Sequence, residues 1–331
     1  MEVIPLRMNV LIVCHAGSGL GLGHLVRSLV VARALQHELG INIQLLIQGN
    51  LVQRDDLAEF EHQFCGLDED LSNKIQHIDV QIVIFDLHPH LIPENIDILL
   101  NNLRQSGRKV IGVDSLVSHR DSLDLIFIPS FHFSPAQNLV GATPVIFGWD
   151  CFLLNVQYPS TVWQPGNQVL TLAGGSDATD LGRTWPMLLN EALPDNAELN
   201  WVTGPYAQQP VWPHLQRISM LNHQSPSGLN DLMITANYAV TVYGVSFFEL
   251  LYYGVPTVVF SPYGNKDAAE LLEVAVEGVA LVAKDEVDAV AKLKELMKDD
   301  DLAVSLSQRA RQRMSTLGGH KIAQAIKELI A

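Results

Sequence analysis

Nearly continuous apolar runs alternate with helical patterns along this chain, and they do so in two successive sets. The first set comprises Met8–Cys14, "INIQLLIQ" (41–48), "VQIVIFD" (80–86), "KVIGVD" (109–114) and "LDLIFIP" (123–129). Between these runs lie helical patterns. One carries Leu25, Leu29, Ala32, Leu35 and Leu39 at spacings of three and four, and another spans Pro93–Ser106. Strands that are apolar on both faces need helices on both sides, which predicts parallel sheets. The alternation stops at "NVQYPSTVWQPGNQ" (155–168), where two prolines and a glycine read as a linker. It resumes with "QVLTLAGG" (168–175), "AELNWVTG" (197–204), "YAVTVYG" (238–244) and "PTVVFSP" (256–262). Glu286–Ile330 reads as helical, with Ile322, Ile326 and Leu329 on one face of the last helix. The expectation is an α/β protein of two lobes, residues 1–155 and 156–331. Ligands of open α/β sheets sit at the carboxyl ends of strands, and two such lobes facing each other would make a central cleft.

Composition narrows the function. A chain of 331 residues that is 48% hydrophobic and 17% charged can bury two cores. A formal net charge of −15 argues against a nucleic-acid partner. No apolar run has the length of an integral membrane segment, and Met8–Cys14 is too short, and lacks a cleavage site, for a signal peptide. Cys14, Cys65 and Cys151 are odd in number and far apart, which suggests free thiols in a reducing cytoplasm. Oligomeric state is not readable from these features.

Three stretches carry chemistry. The first is "CHAGSGLGLGHLVRS" (14–28), with glycines at 17, 19, 21 and 23. A dinucleotide fingerprint needs a glycine five residues after its first, yet those places hold Leu22, His24 and Val26 when counted from Gly17, Gly19 and Gly21. A phosphate loop needs a lysine, and none is present. What remains is a strand, a glycine turn and a helix that starts near His24. Such a helix start can bind an anion. His24 is either a general base, kept neutral by the helix dipole, or a helix cap. Arg27 suits a phosphate, a carboxylate or an ordinary ion pair. His88 and His90 lack a third ligand nearby and read as loop residues rather than a metal site.

The second stretch is "TLAGGSDATD" (171–180), again strand, glycine pair and helix start, with Ser176 and Asp177 as N-cap candidates. The third is "YGVSFFELLYYGVP" (243–256). Ser246 and Glu249 fit a capping box. They equally fit a nucleotide site, with Ser246 near a phosphate and Glu249 accepting from ribose hydroxyls.

"GLGHLVR", "AGGSD", "GPYAQQP" and "YGVSFFELLYYGVP", in this order, resemble a group of nucleotide-sugar enzymes of the GT-B fold. The chain is similar to the UDP-sugar hydrolases of pseudaminic acid biosynthesis and to spore-coat-polysaccharide-type glycosyltransferases. It is more distantly similar to the N-acetylglucosaminyl transferases of peptidoglycan synthesis. "PVIFGWDCFLLN" (144–155) extends the resemblance to nearly the whole chain. The resemblance implies two Rossmann-like lobes, with the nucleotide on the C-terminal one. It makes His24 the catalytic residue, with Gly21, Gly23 and Arg27 beside it. Gly175, Ser176, Gly244 and Ser246 would line the diphosphate, and Glu249 would hold the ribose. Val245 replaces a glycine of the family pattern, and Asn265 is followed by Lys266 where the family has glutamine. The implied partners are a UDP-sugar and an acceptor glycan, with no metal and no cofactor. The hydrolase resemblance favours water as acceptor, whereas the commoner activity of this architecture and the two departures favour inverting transfer, and the expectation is transfer in surface polysaccharide or modified-sugar biosynthesis. The alternatives are hydrolysis, with water as acceptor, and nucleotide-sugar binding without turnover.

Overall fold

A computed structural model describes residues 8–17, 20–133, 143–226 and 228–331. The chain divides into two units, Met1–Asn155 with Thr316–Ala331, and Val156–Ser315.

The first unit carries β1 (Asn9–Ala16), α1 (Gly23–Leu39), β2 (Asn42–Gly49), β3 (Glu61–Cys65), α2 (Leu71–Ile75), β4 (Ile82–Asp86), α3 (Ile96–Gln105), β5 (Lys109–Val113), β6 (Leu125–Phe127) and β7 (Val145–Ile146). All the strands are parallel, in the order β3-β2-β1-β4-β5-β6-β7. The sheet has an apolar layer on each face. Val10, Ile12, Ile84 and Ile111 pack toward α1, whereas Leu11, Val13, Val83 and Phe85 pack toward α3. That two-sided burial is why β1 and β4 read as unbroken apolar runs.

The second unit repeats the plan. It carries β8 (Gln168–Leu172), α4 (Leu181–Ala192), β9 (Glu198–Thr203), β10 (Ser219–Gln224), α5 (Leu229–Thr235), β11 (Tyr238–Val242), α6 (Val245–Tyr253), β12 (Thr257–Phe260), α7 (Ala268–Glu277), β13 (Leu281–Val282), α8 (Glu286–Leu296) and α9 (Asp300–Arg313). The parallel order is β10-β9-β8-β11-β12-β13. In each sheet the first strand lies between the second and fourth, so the order reverses there. Such switch points are where α/β sheets bind ligands.

The final helix corrects one expectation. Residues 316–331 were assigned to the second lobe, but α10 (Gly318–Ile330) packs on α1 of the first unit. Ile322 and Ile326 are fully buried in that unit's core. Two glycines permit the approach. A Cβ on Gly318 would lie 2.2 Å from the Cys151 carbonyl oxygen, and one on Gly319 would lie 3.1 Å from Ala34 Cβ. The Lys321–Asp150 pair at 2.7 Å and the His320–Glu38 pair at 2.8 Å fix the register. No described helix is long and apolar enough to cross a membrane. All three cysteines are buried and free.

Candidate active site

The stretch that opens α1 lies at the switch point of the first sheet, because β1 leads into it and β4 is β1's neighbour. Gly19 of the glycine run lies outside the described residues. Gly17 has φ +143°, and a Cβ there would lie 2.8 Å from Asn50 N, so this glycine serves close packing against the end of β2. Gly21 has φ +76°, and neither Gly21 nor Gly23 would place a Cβ within 4 Å of another atom, so both leave open space beside the helix start. The first N–H groups of α1 have no intrahelical partner.

His24 does not cap the helix. Leu22 occupies the N-cap position without a side-chain bond. His24 Nδ1 instead lies 2.7 Å from Asp86 Oδ1, and the ring is largely shielded. Arg27 Nη2 is 3.0 Å from the same Nδ1, so two tautomers compete on paper. A lone pair on Nδ1 would face a carboxylate oxygen at 2.7 Å, which is repulsive. A hydrogen on Nδ1 makes a charge-assisted bond there, so Nδ1–H donates to Asp86 and Nε2 keeps its lone pair.

Asp86 closes β4 and is 1% exposed. Burial by itself would raise its carboxyl pKa, but the Arg27 charge and the hydrogen bonds from His24 and Arg27 outweigh it and hold the group below the usual range. Arg27, which suits a phosphate, a carboxylate or an ion pair, here makes the ion pair, donating from Nε to Asp86 Oδ2 at 2.6 Å and from Nη2 to Asp86 Oδ1 at 2.5 Å. Its Nη1 donates to Asp114 Oδ2 at 2.8 Å. Burial opposes its charge, and the two carboxylates overcome that and push its pKa up. In this arrangement Arg27 orients the Asp86–His24 pair. Asp114 follows β5 with φ +66°, a left-handed conformation uncommon outside glycine.

Asp86 and Asp114 were missed from sequence. The available signal was that "VQIVIFD" and "KVIGVD" both end in aspartate, at the carboxyl ends of adjacent strands.

In the second unit, Gly175 and Ser176 follow β8, Gly244, Ser246 and Glu249 follow β11, and Asn265 and Lys266 follow β12. These are three adjacent strands, so the sheet brings the predicted residues to one end, across its switch point. Gly244 is the N-cap of α6 and bonds through no side chain. Ser246 is therefore the second helical residue and Glu249 the fifth, so the pair is not a capping box. Glu249 lies on the first turns of the helix, half-buried. Val245 is the first helical residue, 59% exposed, and has no left-handed backbone. Its side chain neither strains nor blocks the turn.

Asp177, rather than Ser176, secures α4, accepting from Leu181 N at 2.8 Å and Gly182 N at 2.7 Å. Ser176 is left exposed. Gly175 offers its carbonyl to Tyr206 N at 3.0 Å, which ties "GPYAQQP" to the glycine turn. Lys266 is exposed, with Nζ 5.2 Å from the centre of the Tyr263 ring.

No sequence model of a protein family matches the chain, and no curated protein matches it. Solved structures do. MurG of Acinetobacter baumannii superposes with a TM-score of 0.66 at 14% identity, over 97% of this chain and 99% of that one. MnaA of S. aureus, solved with UDP, gives 0.65 at 12% identity, over 98% of each chain. UGT2 of Phytolacca americana, solved with UDP-2fluoro-glucose and pterostilbene, gives 0.64 at 12% identity, over 98% and 99%. With two parallel-sheet α/β units and this likeness along nearly its whole length, the chain has the GT-B fold.

Proposed function

We propose that the protein is an inverting glycosyltransferase-type enzyme that uses a UDP-sugar, with His24 as its base. The observation that carries this is the tether of His24 Nδ1 to buried Asp86, which leaves Nε2 as a proton acceptor at a sheet switch point. The fold adds support, because structures similar to it were solved with UDP, with UDP-2fluoro-glucose and with UDP-GlcNAc.

The second unit holds the nucleotide in this scheme. Glu249 accepts hydrogen bonds from the ribose. Gly175, Ser176, Gly244 and Ser246 line the diphosphate, and the open N–H groups that begin α6 stabilise it as it leaves. Asn265 and Lys266 are assigned to the same phosphates, with Lys266 as a positive charge. His24 Nε2 takes the proton of an acceptor hydroxyl, and that oxygen displaces the diphosphate from the opposite face of the anomeric carbon, inverting it. Asp86 holds the ring and stabilises the imidazolium that forms.

The same His24 would serve water as well as a hydroxyl, so hydrolysis and transfer are separated by assay. A screen of UDP-sugars, with and without acceptor glycans, reads released UDP. Release only with acceptor is the expected result. Release without any acceptor would make the protein a hydrolase. Binding without release would reject catalysis, a reading that the unstrained Val245 turn gives no reason to prefer.

A further inference from the structure

Two more histidines stand near His24, and neither has a task in the scheme above. His15 is the penultimate residue of β1 and is 1% exposed. Its Nε2 lies 3.1 Å from Gln48 Oε1. The Gln48 amide nitrogen donates to the carbonyls of Gly66 at 3.1 Å, Leu67 at 3.4 Å and Glu69 at 3.2 Å. Those three acceptors fix which end of the amide is nitrogen. His15 therefore carries its hydrogen on Nε2 and a lone pair on Nδ1. That lone pair accepts the backbone N–H of His88 at 2.9 Å, and so pins the loop after β4 at His88.

The tautomer of His88 follows in the same way. Its Nδ1 accepts the backbone N–H of His90 at 3.3 Å, across the short turn Pro89–Leu91. The neutral ring then carries its hydrogen on Nε2. The His88 ring stands edge-to-face against His24, with 5.6 Å between ring centres and 62° between planes. Partial burial, with His24 and His90 nearby, pushes the His88 imidazole below its ordinary pKa and so favours the neutral form. The ring that carries this donor is thus a direct neighbour of the ring that carries the His24 acceptor.

We propose that His88 is a second catalytic residue, whose Nε2–H donates to the attacking oxygen while His24 Nε2 accepts that oxygen's proton. The proposal rests on His24 being the base. A hydroxyl has one hydrogen and two lone pairs. His24 takes the hydrogen, His88 occupies one lone pair, and the other is left to attack the anomeric carbon. The new C–O bond forms as the bond to the diphosphate breaks, with its electron pair leaving on the diphosphate. The proton ends on His24, and His88 neither gains nor loses one. His15 is a positioning residue that acts through the His88 backbone.

Four variants in the UDP-release assay test this. His88→Phe keeps an aromatic ring and removes the donor, so turnover should fall about tenfold, the worth of a neutral hydrogen bond. UDP affinity and melting temperature should hold. His88→Gln presents an amide N–H and should recover part of the rate. His15→Asn keeps an acceptor for the His88 N–H and should stay closer to wild type than His15→Phe. A near-normal rate in His88→Phe, with His24→Ala inactive, would overturn the role of His88 and leave His24 as the base. Near-normal rates in both would remove the base itself. A rate loss shared by His88→Phe and His88→Gln, together with a lower melting temperature, would show a structural role and overturn the proposal. An activity-independent arm is nitrogen NMR of the imidazoles of the wild-type protein at neutral pH. Both His15 and His88 should appear as Nε2–H tautomers, and an Nδ1–H form at His88 would overturn the donor assignment.

Discussion

His24 keeps one ring nitrogen on Asp86 and the other for chemistry, so two substitutions should give different results. His24→Gln preserves hydrogen bonding but cannot take a proton. Turnover should drop by about 10²–10⁴-fold, with UDP affinity unchanged in calorimetry. Asp86→Asn should slow turnover and also destabilise the fold. It leaves the buried Arg27 with only Asp114, and breaking a buried pair on one side costs about 3–5 kcal/mol. Chemical denaturation checks that cost. The pH dependence follows from the shifts. Asp86 is held below its unfolded value of about 3.9, so its stabilisation is complete above that pH and is lost as pH falls through the lower folded value. His15 titrates below its unfolded value of about 6.5, chiefly through burial, with Gln48 partly opposing. The unfolded chain binds that proton first, so stability falls as pH drops below about 6.5. Denaturation at pH 7 and pH 5 should show a smaller loss in His15→Asn than in wild type.

At the scale of elements, α6 and α10 carry separate tests. Glu249 sits on α6, and the helix begins too early for it to cap Ser246. Glu249→Ala should therefore weaken UDP binding by about 1.5–3 kcal/mol, the worth of hydrogen bonds to a charged group. An unchanged dissociation constant would reject the ribose assignment. Ile326 is fully buried where α10 joins the first unit's core, so Ile326→Ala should cost about 2–5 kcal/mol in denaturant unfolding. The strands show what local pattern reveals. Every apolar run predicted as a strand is one. Among the described residues, the four strands that were not predicted, β3, β7, β10 and β13, are the four sheet edges. An edge strand has a neighbour on one side only. β3 and β10 are largely exposed and carry no apolar run, and β7 and β13 pair over only two residues each, within apolar stretches too short to separate from loop or helix.

For the whole molecule, the second unit is continuous in sequence, from Val156 to Ser315, and has cores of its own built on Trp185, Trp201, Val240 and Leu250. Residues 156–315 expressed alone should unfold cooperatively and bind UDP, with Glu249→Ala weakening that binding. The first unit needs both ends of the chain, so residues 1–155 without α10 should expose Ile322's partners and be much less stable. A soluble, cooperative 1–155 fragment would contradict that.

The sequence by itself determined the two α/β units, their central strands and the glycine turns that open α1 and precede α4 and α6. Each of these is written in contiguous residues, as apolar periodicity or as a strand-to-helix turn. The tertiary structure alone decided which residues serve His24. Asp86 lies 62 positions away along the chain and reaches the ring only because β4 pairs with β1. It decided that Arg27 is held by two carboxylates, since the second arrives on β5 beside β4. It also decided that α10 returns to the first unit. The apolar face of that helix is legible in its own residues, but an apolar face does not name its partner. The partner is set by the close approach that Gly318 and Gly319 allow against Cys151 and Ala34.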